Sequence, residues 1–463
     1  MPSNASFGLW LPLHGVVTLL ALLLYVVTSH AMPLRRGPAG AIAWVLFILL
    51  IPYLALPAYL VFGSRKARRR GAAIAPGAGA GQADGWAIQT AEVLGQPSPA
   101  AYHELRIHCD GSDARAALLE TISGAVQSID LCTFILRRDV LGESVLQGLC
   151  DRARSGVAVR VLIDGLGRRM APGPDMSRLV DAGGAWVSFV PPMRGLLNGR
   201  ANLRNHRKLV IADAGTRGAR LWCGGRNLGA EYFEGSEAAP PWRDLTFDLK
   251  GEVVRQAVAL FEHDWLLAAR KATEMPDARG APTSLTTGAQ LIASGPDQAD
   301  DTYRALLLTA AYQAQQRIVL VTPYFVPDQE LLWALCLAAR RGVSVRLLIP
   351  ARSNHRLSDM TRNRALRSLA MSGGNVALTD RMLHGKLVVV DDRLALTGSA
   401  NLDTRSLFLN YEAMMAFHDP DDVQRFADWF DREGIGARPY VVEEPGTLRD
   451  VAEGLLLAMA FEL

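Results

Sequence analysis

The chain contains the pattern His-x-Lys-x4-Asp twice. The first copy is His206, Lys208 and Asp213, and the second, 178 positions later, is His384, Lys386 and Asp391. An imidazole can attack phosphorus or move a proton, and an ammonium can hold a negatively charged oxygen. Two copies that face each other could therefore cleave a phosphodiester without a metal or another cofactor. A single copy matches a loose pattern and would mean little.

Residues around the two copies strengthen this interpretation. The chain has five lysines among 49 basic residues, and two of the five lie in the pattern. A lysine retained in an arginine-rich chain suggests a site that needs a compact point charge. Each copy is followed by a Gly-rich segment with an amide, at Asn227 and at Asn401. We expect both amides and Ser399 to bind substrate phosphate; the first copy has Gly225 in place of this serine.

The composition is that of a folded protein. Of 463 residues 49% are hydrophobic, enough for two or three domains with cores. The net charge of +3 is too small to require a nucleic-acid partner. The five cysteines are scattered and include no C-x-x-C, which favours a reducing compartment and neither a disulfide framework nor a zinc site.

The first 70 residues are predicted to form a membrane hairpin. Asp, Glu, Lys and Arg are missing from 1–34 and 37–64, and the apolar spans at about 8–29 and 40–62 each reach the ~20 residues that cross a bilayer. A cleaved signal peptide is the alternative, but no basic segment precedes the first span. Five basic residues follow the second span and two separate the spans, which places the main body in the cytoplasm.

The second span contains prolines that allow a kinked or incompletely crossing helix, at Pro52 and Pro57. The Gly/Ala-rich stretch that follows predicts a flexible linker, to which we assign residues 71–99.

At the other end of the chain, 446–463 is predicted to be an amphipathic helix. Its apolar stripe is Leu448, Val451, Ala452, Leu455 and Met459. Such a stripe most often packs into a core, and a helix lying on a membrane surface is the alternative.

Between these ends the chain repeats itself. Ile129–Thr133 resembles Ile318–Thr322, and Gly156–Ile163 resembles Gly342–Ile349, at offsets close to that of the two motif copies. Amphipathic helical segments alternate with short β-branched runs, which predicts an α/β sandwich in each half. We assign 100–275 to the first half and 276–445 to the second.

Together these residues resemble the phospholipase D superfamily and, within it, the bacterial cardiolipin synthases. The resemblance covers nearly the whole chain. It includes the paired N-terminal spans and the segments Asn205–Lys208, Pro241–Asp244, Ile292–Pro296, Thr322–Pro327, Gly398–Ser406 and Asn410–Glu412. It implies an α/β fold in which two phospholipase D-like α/β/α halves meet about a pseudo-twofold and both motifs line one cleft.

The resemblance also implies an activity and a location. One phosphatidylglycerol would donate its phosphatidyl group to a second, giving cardiolipin and glycerol, at the bacterial inner membrane with the catalytic part facing the cytoplasm. Phosphatidylglycerol and membrane lipids are the expected partners, nucleic acid is not, and the oligomeric state stays open. No metal and no other cofactor is expected.

The family pattern implies individual roles. His206 would be the nucleophile that forms a phosphohistidine and His384 the acid and base, although the symmetry of the sequence permits the reverse. Glu412 would orient a histidine, and Asp244 would do so in the other half, with less regular spacing. Asp213 and Asp391 belong to the motifs but are expected to support turns rather than to react.

Two further questions stay open at this point. A phospholipid hydrolase, or less plausibly a nuclease, would use the same covalent intermediate, and an inactive membrane scaffold would use none. The arginines around the first motif, Arg194, Arg200, Arg204 and Arg207, form either a solvated basic face or a surface that docks on anionic lipids.

Overall fold

The computed structural model describes residues 4–31, 38–62, 85–189, 202–235, 239–269, 287–298 and 301–460. The chain divides into two compact units. One comprises 1–70 with 190–203, and the other comprises 71–189 with 204–463. The predicted boundary between the halves, at 275, falls outside the described residues, as do residues 71–84 of the predicted linker.

The N-terminal unit is a cluster of apolar helices: α1 (Asn4–Ala31), α2 (Pro38–Leu50) and α3 (Pro52–Phe62). The second predicted span is two helices, because Pro52 has no N–H to continue α2. Ala21 and Tyr25 of α1 are buried against the other two helices, and the rings of Tyr25 and Tyr59 lie 5.3 Å apart. Within the described residues, no helix has both the length and the apolar character required to cross a bilayer.

In the described part of the first half, seven strands form one sheet in the order β1-β8-β7-β6-β2-β3-β4. The strands are β1 (Tyr102–Ile107), β2 (Ser128–Thr133), β3 (Ala158–Asp164), β4 (Ala185–Phe189), β6 (Leu209–Ala212), β7 (Arg220–Gly224) and β8 (Thr246–Gly251). Strands β2, β3 and β4 are parallel, and the other neighbours are antiparallel. A two-residue strand, β5 (Arg204–Asn205), lies outside this sheet.

The second half repeats this order as β9-β17-β15-β14-β10-β12-β13, with β18 at the edge. The strands are β9 (Ala289–Ser294), β10 (Arg317–Val321), β12 (Ser344–Pro350), β13 (Asn375–Thr379), β14 (Leu387–Val390), β15 (Leu394–Gly398), β17 (Asn410–Phe417) and β18 (Arg438–Pro439). A separate parallel pair consists of β11 (Phe325–Val326) and β16 (Leu402–Asp403). The strand directions also repeat, so the halves share one topology.

Helices cover both faces of each sheet. They are α4 (Trp86–Val93), α5 (Gly111–Ser123), α6 (Val140–Arg154), α7 (Gly165–Met170), α8 (Ser177–Asp181), α9 (Val254–Ala268), α10 (Thr302–Gln313), α11 (Gln329–Arg340), α12 (Arg356–Thr361), α13 (Asn363–Met371), α14 (Thr404–Phe408), α15 (Pro420–Glu433) and α16 (Thr447–Ala460). Alternation along the strands determines the two faces. Val159 and Val161 of β3 join the core under α5 and α6, whereas Arg160 lies 5.0 Å from the ring of Phe261 in α9.

The same alternation occurs at the matching position of the second half. Arg346 of β12 lies 4.6 Å from the ring of Phe430 in α15, while Val345 and Leu347 enter the core under α10 and α11. Each half is therefore an α/β/α sandwich. The two halves were predictable from the repeat because period-two alternation is a local property of the sequence.

Helix α4 corrects the predicted linker, 71–99. Trp86, Ala87 and Ala91 are buried in the core of the second half, where α4 packs against α10. Residues 86–93 are thus part of the folded body, although they precede the first half in sequence.

The halves are joined by reciprocal main-chain pairing. Strand β5 of the first half runs parallel to the start of β17 in the second, with Asn205 opposite Tyr411. In the opposite direction, Arg243 of the first half forms a parallel bridge with Leu383 of the second. Both pairings lie immediately beside a motif histidine.

Candidate active site

His206 lies where β5 meets β17. Its main-chain N–H donates to the carbonyl of Tyr411 at 2.9 Å. The next residue is Glu412, and its fully buried carboxylate oxygens lie 3.0 and 3.1 Å from His206 Nδ1. A carboxylate on Nδ1 favours the tautomer that carries its proton there, which leaves a lone pair on Nε2.

His384 has the mirror arrangement. Its main-chain N–H donates to the carbonyl of Arg243 at 2.6 Å, and the next residue, Asp244, places Oδ2 2.6 Å from His384 Nδ1. The imidazole is enclosed by Tyr232 and Trp242, whose ring centroids lie at 5.1 and 5.8 Å. Each histidine is therefore positioned by a carboxylate of the other half.

The two lysines lie beside their own histidines. Lys208 Nζ donates to the carbonyl of His206 at 2.6 Å, and Lys386 Nζ lies 2.8 Å from His384 Nδ1. Lys386 also borders the first half, because a Cβ atom added at Gly225 would lie 3.1 Å from its Cδ. The two motif copies thus converge on one place.

Burial shifts the pKa values of the ionisable side chains in the cleft. Burial lowers the pKa of Lys208 to about 7 and that of Lys386 to about 8, while Glu412 and Asp244 oppose the shift. Burial, with Lys386, lowers the pKa of His384 to about 3. For both carboxyls burial opposes the shift, but the neighbouring cations hold their pKa at about 2. An anion in this cleft would relieve the repulsion among the buried cations.

Among the described residues, no group of three or more His, Cys, Asp or Glu side chains is arranged to hold a metal ion. The amides after the motifs are also buried. Asn227 Nδ2 donates to the hydroxyl of Tyr232 at 2.8 Å, and Asn227 Oδ1 has no partner in the described part of the chain. The Oδ1 of Asn401 likewise has none there. Because the Tyr232 hydroxyl can itself donate, a flipped Asn227 amide would offer its N–H groups to a phosphate oxygen.

Ser399, predicted to bind phosphate, holds the orienting acid. Its hydroxyl donates to the carboxylate of Glu412 and accepts from the N–H of Ala413 at 2.9 Å. At the matching position of the first half there is no room for a side chain. A Cβ atom at Gly225 would lie 2.3 Å from Asp244 Oδ1.

Asp213 and Asp391 lie at the far ends of the motif strands. Asp213 Oδ1 accepts three main-chain N–H groups from 126–128, and Asp391 accepts three from 315–317. Both residues have positive φ, 54° and 53°. Asp213 binds the start of β2 and the residues before it to its motif strand, and Asp391 does the same at β10. None of these hydrogen bonds is with a histidine.

Of the four arginines predicted to form a solvated or lipid-docking surface, Arg194 and Arg200 lie outside the described residues and Arg204 is buried. Sequence reasoning also misplaced Arg207. It is fully buried, forms an ion pair with Asp264, and donates from Nε to the carbonyl of Glu412 at 3.1 Å. It is neither a solvated basic residue nor a lipid-docking one. Alternation was the available signal, because between β5 and β6 the side chains of His206 and Lys208 point to the cleft and the intervening side chain points into the body.

Known proteins share the sequence pattern and the fold of this chain. A family model described as "Cardiolipin synthase, PLD-like domain" matches residues 118–265 and 307–433, and one described as "Phospholipase_D-nuclease N-terminal" matches 17–64. The crystal structure of phosphatidylserine synthase from Haemophilus influenzae Rd KW20 is similar in fold, with a TM-score of 0.62 at 16% identity, over 81% of this chain and all of that one.

Sequence relatives extend the likeness to most of the chain. Cardiolipin synthase A of Pseudomonas aeruginosa (strain UCBPP-PA14) is 35% identical over 416 residues, 84% of this chain and 83% of the relative. Cardiolipin synthase A of Pseudomonas entomophila (strain L48) is 33% identical over 422 residues, 86% of each chain. With its two matched domains and these relatives, the chain belongs to the cardiolipin synthase family of the phospholipase D superfamily.

Proposed function

We propose that this protein transfers a phosphatidyl group from one phosphatidylglycerol to another, giving cardiolipin and glycerol. The observation that carries the proposal is the crosswise pairing of His206 with Glu412 and of His384 with Asp244. Each carboxylate holds Nδ1 of its histidine and leaves Nε2 as the atom that reacts, and at His384 this Nε2 lies 3.1 Å from Lys386 Nζ. Two imidazoles oriented in this way are what a two-step displacement at phosphorus requires.

In the first step His206 Nε2 attacks phosphorus and the bond from phosphorus to the glycerol oxygen breaks. His384 gives its proton to that oxygen, so glycerol leaves neutral. In the second step His384 takes the proton from a hydroxyl of the second phosphatidylglycerol. The resulting oxygen attacks phosphorus, the phosphorus–nitrogen bond breaks, and cardiolipin is formed with His206 restored.

The cations and amides would stabilise the charge that moves during both steps. Lys208 and Lys386, with Asn227 and Asn401, would hold the non-bridging oxygens, the task that metal ions perform in many other phosphotransferases. No metal is expected to be needed.

His384 must carry a proton when glycerol leaves. With no anion bound, burial and Lys386 keep its pKa at about 3, so the ring is neutral. The negative charge of a bound lipid phosphate would raise the pKa of His384, because it offsets the repulsion between Lys386 and the protonated ring. Asp244 acts in the same direction. Substrate binding is therefore proposed to draw a proton into the cleft.

We also propose that the N-terminal helices associate with the bacterial inner membrane, with the catalytic halves on its cytoplasmic side. Several apolar side chains of these helices are exposed, among them Leu19, Leu23, Leu46 and Leu50, at 51% to 74%. Because α1, α2 and α3 already pack on one another through a separate buried cluster, lipid is the medium that suits the outer face. A hairpin that crosses the bilayer remains the proposed topology.

Product analysis tests the reaction. Full-length protein is incubated with phosphatidylglycerol vesicles, with and without a chelator, and the lipids are separated by thin-layer chromatography. Cardiolipin and glycerol in equal amounts, insensitive to the chelator and lost in His206→Gln, are expected. Phosphatidic acid without cardiolipin would show a hydrolase, and strict dependence on a divalent ion would contradict the mechanism.

A further inference from the structure

The C-terminal helix α16 is docked on the body through its charged side. Glu453 is 5% exposed, and its carboxylate pairs with Arg367 at 2.6 Å. One turn earlier Asp450 pairs with Arg364 at 2.8 Å. Gly454 lies under the same guanidinium, where a Cβ atom would be 3.1 Å from Arg364 Nη1. These contacts hold the helix by a polar face.

An amphipathic helix on a globular body usually buries its apolar stripe. Here the side that docks is charged, and Val451 of the predicted apolar stripe is 56% exposed. The described part of the stripe is thus not buried against the body.

The surface beside α16 also exposes apolar side chains. Helix α12 packs against α16, and its residues Arg356 and Met360, one turn apart, are both exposed, Met360 by 51%. Val441 and Val442, on the approach to α16, are exposed by 72% and 42%. Apolar side chains mixed with an exposed arginine are typical of surfaces that bind anionic bilayers.

The residues just before α12 contact Tyr324. Asn354, just before α12, accepts a hydrogen bond from the Tyr324 hydroxyl at 2.6 Å, and the ring of His355 lies 6.1 Å from that of Tyr324. Burial raises the pKa of Tyr324, and the charge of Asp244, the partner of His384, raises it further, so Tyr324 lies within electrostatic range of the cleft.

We propose that the exposed face of α16, together with Arg356 and Met360 of α12, rests on the surface of an anionic phospholipid bilayer and directs the catalytic cleft toward it. The occupant is lipid rather than a second copy of the chain, because the same surface borders a site built for a lipid phosphate. The inference rests on the proposed function only for the nature of that site.

The test reads out contact with lipid and needs no activity. Cys109, the exposed cysteine of the described residues, is changed to Ser, and a fluorescent dye is attached through Val451→Cys. The matched control carries the dye through Val140→Cys, in α6 of the first half, where the valine is 73% exposed. Both full-length proteins are reconstituted into vesicles of phosphatidylglycerol and phosphatidylcholine in equal parts.

Lipids with a nitroxide near the headgroup are expected to quench the dye at 451 several-fold more than the dye at 140, and an aqueous nickel chelate to do the opposite. Equal quenching at both positions would overturn the proposal. So would shielding of position 451 that needs no lipid and grows with protein concentration, because that result indicates a second copy.

Activity measurements on variants distinguish this proposal from the proposed function. Met360→Asp with Val451→Asp should raise the KM for phosphatidylglycerol in vesicles several-fold and leave turnover of a short-chain, water-soluble phosphatidylglycerol unchanged. Val140→Asp should change neither. If wild-type protein makes no cardiolipin, the proposed function fails while the quenching result still decides the position of α16.

Discussion

His206 in the first half and Glu412 in the second form one unit, with Nδ1 3.0 Å from Oε1. The pair exists only because β5 adds to the sheet of the other half, so that the N–H of His206 reaches the carbonyl before Glu412. His384 and Asp244 repeat the arrangement in the opposite direction. A stable catalytic centre therefore requires both halves, because each supplies the carboxylate that holds the motif histidine of the other.

The nucleophile can be identified by trapping. In His384→Gln, transfer from phosphatidylglycerol should fall ~10²- to 10⁴-fold, the usual contribution of a general acid and base. A substrate analogue with an acidic nitrophenol leaving group should restore the first step, since that group needs no proton. Acid quenching followed by peptide mapping should then find the labelled phosphatidyl group on His206. Label on His384 in the wild-type protein would reverse the assignment.

On the alkaline side of the pH profile, kcat/KM should begin to fall at an unusually low pH. The lysines must be charged to hold phosphate oxygens, and burial lowers the pKa of Lys208 to about 7 and of Lys386 to about 8. Charge is present below these values and is lost as the pH rises through them, so kcat/KM for a water-soluble phosphatidylglycerol should fall above about pH 7 to 8. In Lys208→Arg the fall in kcat/KM should occur at a higher pH, whatever the residual rate of this variant. A wild-type fall near pH ~10, the value of an ordinary lysine, would contradict the assignment.

Gly225→Ala should damage catalysis without unfolding the protein. The new methyl group would lie 2.3 Å from Asp244 Oδ1 and 3.1 Å from Lys386 Cδ, and the carboxylate must move away from His384. We expect a loss of kcat of ~10²-fold, as for misplaced catalytic groups. Gly218→Ala is the control, because its Cβ would meet nothing closer than Thr216 Oγ1 at 3.7 Å. Equal activity of the two variants would show that Asp244 does not position His384.

Arg207 should matter for stability as well as for position. Arg207→Met would leave Asp264 buried without its cation, a change that destabilises by ~3–5 kcal/mol for comparable buried pairs. Arg207→Met with Asp264→Leu removes both charges and should regain part of that loss in urea unfolding. Activity should stay low in both, because the carbonyl of Glu412 loses the Arg207 Nε–H. A double variant no more stable than the single one would mean that the charge pair is not the source of the effect.

Much of the molecule could be predicted from local patterns. The motif copies, the amides after them and the repeated α/β halves depend on residue spacing and on period-two or helical alternation, which are properties of short segments. The predicted linker failed at Trp86, because a short helix becomes ordered through burial in a core supplied by residues some 200 positions away. The prediction that Ser399 binds phosphate did not anticipate Glu412 within reach of its hydroxyl.

The sequence by itself determined which chemistry is available: two imidazoles, two ammonium groups and the acids that could orient them. Only the tertiary structure decided the partners, because Glu412 reaches His206, and Asp244 reaches His384, through strand pairing between halves more than 100 residues apart. It also decided that Arg207 is buried and that α16 presents its charged side to the body. Spacing specifies which face of an element a residue occupies, whereas the neighbour of that face depends on how the whole chain packs.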